Sequence, residues 1–191
     1  MPCRQILAAF QVYLVVLPDP VRREGRPLVT RLRVDDREMA ARLTQTMQQL
    51  SPGVAGRGKA VFFSNTASCS ACHRVGGQGG TIGPDLSHIG QVRNRQDFVE
   101  AILFPSASIV NGYETCAVVT RQGRTHLGVI QRATATSIVL RNAQRAEIVV
   151  PRDDIEQLER VKTSIMPQGL HQTITAEQLS DLVAFLESLR E

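Results

Sequence analysis

The amino-acid sequence predicts a mainly α-helical fold with a small antiparallel β module inserted before the last helix. Apolar residues recur at helical spacing in residues 39–50, 98–103 and 179–189. Residues 113–160 have a different pattern, because short runs rich in β-branched residues alternate there with turn residues. The change of period indicates that one helical domain is interrupted by a β meander or a small β barrel.

Residues 1–52 are predicted to form a helical N-terminal extension. Asp35 and Glu38 have the spacing of a capping box. The apolar residues that follow lie three or four positions apart: Met39, Leu43, Met47 and Leu50. Ser51-Pro52-Gly53 then predicts a boundary, so that the main domain covers residues 53–191.

Three helices are predicted within the main domain. A short helix begins near Gly58 and runs towards residue 69. Asn94 is a candidate N-cap for a second helix, which ends before Pro105. Thr175 and Gln178 have the spacing of a capping box at the start of the last helix. The apolar stripe of that helix is Leu179, Leu182, Val183, Leu186 and Leu189.

Four strands are predicted in the inserted module. They are residues 113–120, 125–131, 137–141 and 146–151. Strands of this length and spacing are typical of a meander or a small barrel. The module has no residue pattern that indicates catalysis.

The most specific motif of the chain is Cys69-Ser70-Ala71-Cys72-His73. A Cys-x-x-Cys-His run is the attachment site of a c-type haem. Two thiols one turn apart add to the vinyl groups of one porphyrin, and the histidine becomes the proximal iron ligand. The sequence therefore favours one covalent haem c, attached through Cys69 and Cys72, with His73 on the iron.

Three other interpretations of this motif compete. A redox dithiol requires a surrounding βαβ pattern, which the sequence lacks. A zinc site requires a second ligand pair, and no further C-x-x-C or H-x-x-x-H follows. A plain disulfide leaves the adjacent histidine without a role. The glycine-rich residues 76–84 fit neither a P-loop nor a dinucleotide fingerprint, so we interpret them as a loop that wraps the proximal face of a haem.

The sixth iron ligand has three candidates. Met166 precedes Pro167 in an irregular segment, and the proline stiffens the loop that would hold the thioether. A lone methionine is ordinarily a core residue, but the position of Met166 between the β module and the last helix favours ligation. His171 is the best rival. His88 follows His73 so closely that we expect it on the proximal side.

Composition limits the classes of partner. The chain has a formal net charge of +4, and its 22 basic residues are nearly all arginine. No basic stripe is interleaved with aromatic residues, which argues against a nucleic-acid partner. We interpret the arginines as solvated surface, with one or two pairing with haem propionates. No stretch is long and apolar enough to span a bilayer, so no transmembrane segment is expected.

The location follows from the cofactor. Because c-type haem is attached outside the cytoplasm, we expect a periplasmic or other extracytoplasmic protein. Residues 6–17 are only a weak match to a signal peptide, so we expect the chain to be a piece of a larger protein with its signal upstream. Cys3 and Cys116 are not needed for haem. They could pair with each other, but we expect Cys116 to be a buried free thiol.

Residues 53–190 resemble a monohaem class I cytochrome c. Within that class they are similar to the haem-binding domain at the C-terminus of large secreted dehydrogenase-like proteins of planctomycete and verrucomicrobial type. The segments that carry the resemblance are Gly58 and Phe62, Cys69 to His73, Gly83-Pro84-Asp85-Leu86, Ala101 to Ser106, Met166-Pro167, and Asp181 to Leu186.

The resemblance implies a cytochrome c fold in which the first and last helices cross, with Gly58 against the face that carries Phe185. It implies that the Pro84 carbonyl accepts the Nδ1–H of His73 and that Met166 is the distal ligand. Met166 lies far beyond His73 in the sequence, and the β module at 113–160 accounts for the excess.

The function that the resemblance implies is single-electron transfer, without an enzymatic activity or catalytic residues. The expected partner is a redox protein, such as a dehydrogenase or another cytochrome, and the chain is then an electron-accepting domain or subunit. If Met166 does not ligate, the alternative is an open-site haem protein, either a peroxidase or a gas sensor. A second alternative is a binding module without haem, in which the β module is the active part.

Overall fold

The computed structural model describes residues 36–190, which divide into two compact units. The helical unit consists of residues 36–108 and 166–190, and the β unit consists of residues 109–165. The predictions that concern Asp35, Cys3 and residues 6–17 lie outside the described residues.

Four α-helices are present in the described part of the helical unit. They are α1 (Asp36–Gln49), α2 (Ala55–Phe62), α3 (Arg95–Leu103) and α4 (Ala176–Ser188). The helical predictions that fall within residues 36–190 are therefore confirmed, although α2 begins three residues before Gly58 and ends well before the cysteine motif. Most of the predicted extension, residues 1–35, lies outside the described residues.

The predicted N-caps of α3 and α4 are also confirmed. The Asn94 side chain accepts a hydrogen bond from the Asp97 N–H, and the Asp97 carboxylate accepts one from the Asn94 N–H. Thr175 and Gln178 make the same reciprocal pair at α4. These bonds satisfy N–H groups that the first turn of a helix leaves without a partner.

Helices α2 and α4 pack so closely that only glycine fits at their contact. A Cβ on Gly58 would lie 1.9 Å from the Asp181 carbonyl oxygen and 2.7 Å from the Phe185 Cβ. Just before α2, a Cβ on Gly53 would lie 2.0 Å from the carbonyl oxygen of Ser180, the residue that precedes Asp181 in α4. The helix crossing that the resemblance implies is therefore present, and Phe62 packs its ring 5.7 Å from that of Phe185.

Helix α1 packs on the same apolar core. Its half-buried apolar residues are Met39, Leu43 and Met47, and Leu50 follows the helix. Arg42 lies over the ring of Phe104, with its guanidinium carbon 5.4 Å from the ring centroid. Residues 36–50 thus belong to the helical unit and share its core.

A buried carboxylate joins the beginning of α2 to α4. Asp181 is 3 % exposed, and its carboxylate accepts hydrogen bonds from the Val54 N–H at 2.7 Å and from the Arg57 Nε at 2.6 Å. The bond from Arg57, with the bond from Val54, holds the pKa of Asp181 below its usual value. Arg57 also contacts Glu177 at 3.1 Å on the exposed side of the crossing.

The β unit is an open five-stranded antiparallel sheet. Two short strands of the helical unit come first in the chain, β1 (Arg74–Val75) and β2 (Gln78–Gly79). The strands of the β unit are β3 (Thr115–Thr120), β4 (Thr125–Ala133), β5 (Ser137–Arg141), β6 (Glu147–Pro151) and β7 (Ile155–Val161). Their order is β6-β5-β4-β3-β7, so four strands form a meander and β7 adds beside β3. Within the described residues β6 and β7 are the edges, and the sheet does not close into a barrel.

The prediction of four strands was therefore wrong, because it omitted β7. That strand is exposed along most of its length and carries Glu156, Glu159 and Arg160, so it lacks the apolar alternation of a half-buried strand. Its pairing with β3 decides its structure instead. With this fifth strand the sheet is larger than the small module predicted, and the fold is less dominated by helix than the sequence indicated.

Two clusters on opposite faces form the apolar packing of the sheet. One contains Cys116, Val118, Ile138, Leu140 and Val150. The other contains Ala117 and Val161, with Leu127 packed against them. Alternate residues of β3 contribute to the two clusters because successive strand side chains point to opposite faces. Among residues 36–190, no helix has both the length and the apolar character needed to cross a membrane.

Candidate functional site

The cysteine motif forms one tight turn in the helical unit. Residues Cys69–Ala71 are a short 3₁₀ turn, and the Cys69 carbonyl accepts hydrogen bonds from the N–H groups of Cys72 at 3.2 Å and His73 at 2.9 Å. The turn begins after Ser68, which has a left-handed backbone with φ of 53°. Cys69 and Cys72 are therefore one turn apart, which is the spacing that two vinyl groups of one porphyrin require.

The imidazole of His73 is held by one hydrogen bond. Its Nδ1 lies 2.9 Å from the Pro84 carbonyl oxygen. Because a carbonyl only accepts, Nδ1 carries the proton and Nε2 is left as the unprotonated nitrogen. Burial lowers the pKa of His73, against the smaller opposing effect of the Pro84 bond, so the neutral form is favoured. This is the Pro84 contact that the resemblance implies.

The absence of a side chain at Gly83 allows the His73 ring to pack directly against the backbone. A Cβ on Gly83 would lie 2.5 Å from the His73 Cε1 and 2.7 Å from its Nδ1. The Gly83 N–H also donates to the Cys72 carbonyl at 2.9 Å, which fixes the segment against the motif. Sequence reasoning did not select Gly83 as a site residue, although its place directly before Pro84 was the available signal.

The glycine-rich stretch after the motif contains a two-residue hairpin rather than only a loop. Strands β1 (Arg74–Val75) and β2 (Gln78–Gly79) pair across Gly76 and Gly77, which both have positive φ. This is the backbone of a tight I′ hairpin turn. A Cβ on the following Gly80 would lie 2.2 Å from the Ala71 carbonyl oxygen, so this glycine serves close packing under the motif.

A turn at Asp85 fixes the far end of this loop. The Asp85 carboxylate accepts hydrogen bonds from the Ser87 N–H at 2.8 Å and the Ser87 hydroxyl at 2.6 Å. Ser87 accepts in turn from the Gly76 N–H at 2.9 Å. These two Ser87 bonds, with a smaller effect of Arg74, lower the pKa of Asp85. The turn therefore restrains Pro84, whose carbonyl holds His73.

The donor set and its surroundings fit a covalent haem. Cys69 packs against the apolar core of the helical unit, and burial raises the pKa of its thiol to about 11. The Arg74 Nε is buried with no hydrogen-bond partner among the described residues, and a propionate is an acceptor of the required charge. The described residues contain no cluster of three His, Cys, Asp or Glu side chains of the kind that holds a metal ion without a porphyrin.

The candidates for the sixth ligand lie elsewhere in the helical unit. Met166 is half-buried at the first position after the β unit. His171 lies in the short turn Leu170–Gln172, and its Nδ1 is buried without a hydrogen-bond partner in the described part of the chain. Burial, and then the charge of Arg42, lowers the pKa of His171. His88 is exposed. The choice between Met166 and His171 stays a prediction.

Cys116 is the buried thiol that the sequence predicts. It lies on β3, is 4 % exposed and is not in a disulfide. Burial raises its pKa, which keeps it protonated at neutral pH.

Residues 55–108 match the family model for cytochrome c. The match contains Cys69, Cys72, His73 and Pro84, and it supports a haem-binding, electron-carrying function for the helical unit. The cofactor of that family is covalently bound haem c with iron. Its members are generally electron-transfer proteins that act with redox partners and are usually extracytoplasmic. No curated protein shows a significant match to the chain.

Proposed function

We propose that the chain is an extracytoplasmic electron carrier with one haem c, ligated by His73 on one side of the iron and by Met166 on the other. When bound, the haem supplies an iron that alternates between Fe(III) and Fe(II) and so accepts and releases single electrons. The observation that carries the proposal is the His73–Pro84 bond beside the two cysteines.

The residues of the chain have separate roles in this proposal. Cys69 and Cys72 attach the cofactor, which makes it permanent. The Pro84 carbonyl fixes the tautomer and the orientation of His73 and increases its basicity as a ligand. Gly83 has no side chain that would collide with the His73 imidazole. The apolar core of the helical unit limits the access of water to the haem.

A thioether from Met166 favours the reduced iron more than a second imidazole does, so it raises the reduction potential. The support for Met166 is its place after the β unit, half-buried and followed by Pro167. His171, with its buried Nδ1, is the competing ligand.

The partner that this function requires is another redox protein, either a dehydrogenase or a second cytochrome. We infer the subtype with an upstream dehydrogenase-like region from the resemblance of residues 53–190. Docking between such carriers is transient and uses a small interface. No residue of the chain is assigned to acid–base or nucleophilic catalysis.

The ligand set is tested by the visible spectrum of the oxidised holoprotein and of Met166→Ala. We expect a red sulfur-to-iron charge-transfer band in the parent protein and its complete loss in the variant. The matched control is His171→Ala, which is expected to keep the band. A pyridine haemochrome assay reports the covalent haem in all three proteins.

Two results would overturn the ligand assignment. A low-spin parent protein without the band, whose spectrum becomes high-spin in His171→Ala but not in Met166→Ala, would assign the sixth position to His171. A high-spin spectrum in the parent protein that changes on addition of CO or peroxide would favour the open-site alternative. A haemochrome assay without covalent haem would reject the electron-carrier function itself.

A further inference from the structure

The two segments that supply the proposed iron ligands contain few charged residues. Residues 60–92 include the cysteine motif and only two charged residues, Arg74 and Asp85. Residues 163–176 include Met166 and, with histidine counted as neutral, no charged residue. Charged residues make up 21 % of the whole chain, so both segments are strongly depleted in charge. Covalent attachment and ligation of a haem do not by themselves require this depletion.

The two charges in the first segment are opposite in sign. The charge of Arg74 adds to the larger effect of the Ser87 bonds in lowering the pKa of Asp85. In the second segment, burial and then the charge of Arg42 lower the pKa of His171. Arg42 is half-buried over an aromatic ring of the helical unit. The two segments therefore have no net charge of their own, and Arg42 lies at their border.

Polar but uncharged side chains surround the cysteine motif. The Thr173 hydroxyl donates to the Thr66 carbonyl at 3.2 Å, which joins the second segment to the first. The Gly80 N–H donates to the Ser70 carbonyl at 2.9 Å, which holds the glycine-rich hairpin beside the motif. The exposed side chains of these parts form a set that we call the neutral rim: Asn65, Thr66, Ser68, Gln78, Thr81 and Thr173.

The edge of a haem attached at the neutral rim is uncharged as well. Cys69 and Cys72 bond to the vinyl carbons, whereas the two propionates lie on the opposite side of the porphyrin. Residues 68–73 are exposed or half-buried, so we expect the attached edge to lie near the surface. Burial is the main cause of the raised pKa of the Cys69 thiol, and no Arg, Lys, Asp or Glu side chain of residues 36–190 contributes to it.

An uncharged surface favours a partner that is uncharged where it docks. A charged side chain on the partner would lose hydration at the neutral rim and would find no counter-charge there. Short side chains such as serine and threonine also lose less rotamer entropy on docking than lysine or glutamate. Because salt screens the attraction between charges, docking without such attraction does not depend on ionic strength.

We propose that the redox partner docks on the neutral rim through an uncharged surface of its own and that the encounter does not use the net charge of +4 of the chain. This inference rests on the proposed function, because it takes the haem to be attached at Cys69 and Cys72. It adds the chemistry of the partner to that function.

The potential at the neutral rim is measured by NMR on the reduced ¹⁵N-labelled holoprotein. A cationic and an anionic nitroxide of the same size are added in turn, and the relaxation of the Ser68, Ser70 and Gln78 amides is compared. We expect the two probes to have equal effects. In Gln78→Lys a cation enters the rim, and we expect the anionic probe to act about twofold more strongly than the cationic one.

The salt dependence of electron transfer tests the same surface. Hexacyanoferrate(III) and tris(phenanthroline)cobalt(III) are oxidants of opposite charge, and each takes one electron from the reduced haem iron. We expect the rate constant of each to change less than about twofold between roughly 0.01 M and 0.2 M salt. Gln78→Lys is expected to speed the reaction of the anionic oxidant at low salt. The control, Gln144→Lys, makes the same change at an exposed residue of the β unit and is expected to behave like the parent.

The outcomes separate this inference from the proposed function. A protein without covalent haem would reject the function and the inference together. A holoprotein with a larger effect of the anionic nitroxide at the rim, or with a rate for hexacyanoferrate(III) that falls steeply with salt, would overturn the neutral docking surface alone. Equal changes in Gln78→Lys and Gln144→Lys would also overturn it, because electrons would then not enter at the rim.

Discussion

The helical unit and the β unit differ in how closely other atoms approach their glycines. In the helical unit six described glycines lie where a Cβ would come within 2.5 Å of another atom: Gly53, Gly58, Gly79, Gly80, Gly83 and Gly90. In the β unit the closest such contact is at Gly128, at 2.6 Å, while Gly112 and Gly123 face open space. The unit that contains the haem motif is thus defined by close approach of backbone segments.

The apolar packing is also more extensive in the helical unit than in the β unit. One continuous cluster joins α1, α2, α3 and α4 in the helical unit. The sheet has two smaller clusters, one on each face. A single core couples distant residues of the helical unit, whereas changes on one face of the sheet are expected to stay local. We therefore expect the largest effects of substitution in the helical unit.

The largest effect on stability is expected for Gly58→Ala. The added Cβ would lie 1.9 Å from the Asp181 carbonyl oxygen, and neither this backbone atom nor the Phe185 Cβ is the end of a flexible chain. Helices α2 and α4 must therefore separate, which we expect to lower the free energy of unfolding by roughly 3 kcal/mol. Chemical denaturation followed by circular dichroism measures the loss.

Gly56→Ala is the matched control in the same helix. A Cβ on Gly56 meets nothing within 4 Å, so the change removes only the backbone freedom of glycine. We expect an increase of about 0.5–1 kcal/mol in the free energy of unfolding. Equal effects of the two substitutions would contradict the close crossing. Loss of the β-sheet amide signals in Gly58→Ala would contradict the distinction between the units.

The features of the helical unit that could be predicted from the sequence depend on residues that are close together in the chain. The caps at Asn94 and Thr175 depend on residues three positions apart, and the Cys69–His73 turn depends on five consecutive residues. Such patterns are visible without knowledge of the rest of the chain. The same holds for β3, β4, β5 and β6, where runs rich in β-branched residues alternate with turn residues.

The features that sequence reasoning missed depend on distant partners. Strand β7 is formed by pairing with β3, although its own residues are mostly polar and exposed. The buried carboxylate of Asp181 accepts hydrogen bonds from Val54 and Arg57, which lie more than 120 residues earlier in the chain. Gly83 matters because the His73 ring lies against it. The hydrophobic periodicity of a single segment does not indicate contacts with residues that are distant in the sequence.

A smaller effect, dependent on pH, is expected for Asp181→Asn. The amide cannot accept the charged bonds of Arg57 and the bond of Val54 as the carboxylate does, so we expect a loss of about 2 kcal/mol near pH 7. Arg57 is more than half exposed, so solvent screens its charge. The loss in the free energy of unfolding is therefore expected to be smaller than for a fully buried ion pair.

The pH dependence separates charge from shape at this site. The pKa of Asp181 is lowered in the folded state, so its contribution is present above the ordinary aspartate pKa and is lost as the pH falls through the folded value. The difference in stability between the parent and Asp181→Asn should therefore shrink in acid. A difference that is constant from pH 7 into that range would show that the charge plays no part.

The smallest effect is expected in the β unit, for Thr120→Val compared with Thr115→Val. Both threonines are at least nine-tenths buried on β3. Among residues 36–190, the Thr120 hydroxyl has a hydrogen-bond partner, the Arg124 N–H at 3.1 Å, and the Thr115 hydroxyl has none. Thr120→Val is expected to lower the free energy of unfolding by about 1 kcal/mol. Thr115→Val is expected to leave it unchanged or raise it, because it removes an unsatisfied hydroxyl. Denaturation of the protein measures both, and a larger loss in Thr115→Val would mean that its hydroxyl serves the folded sheet.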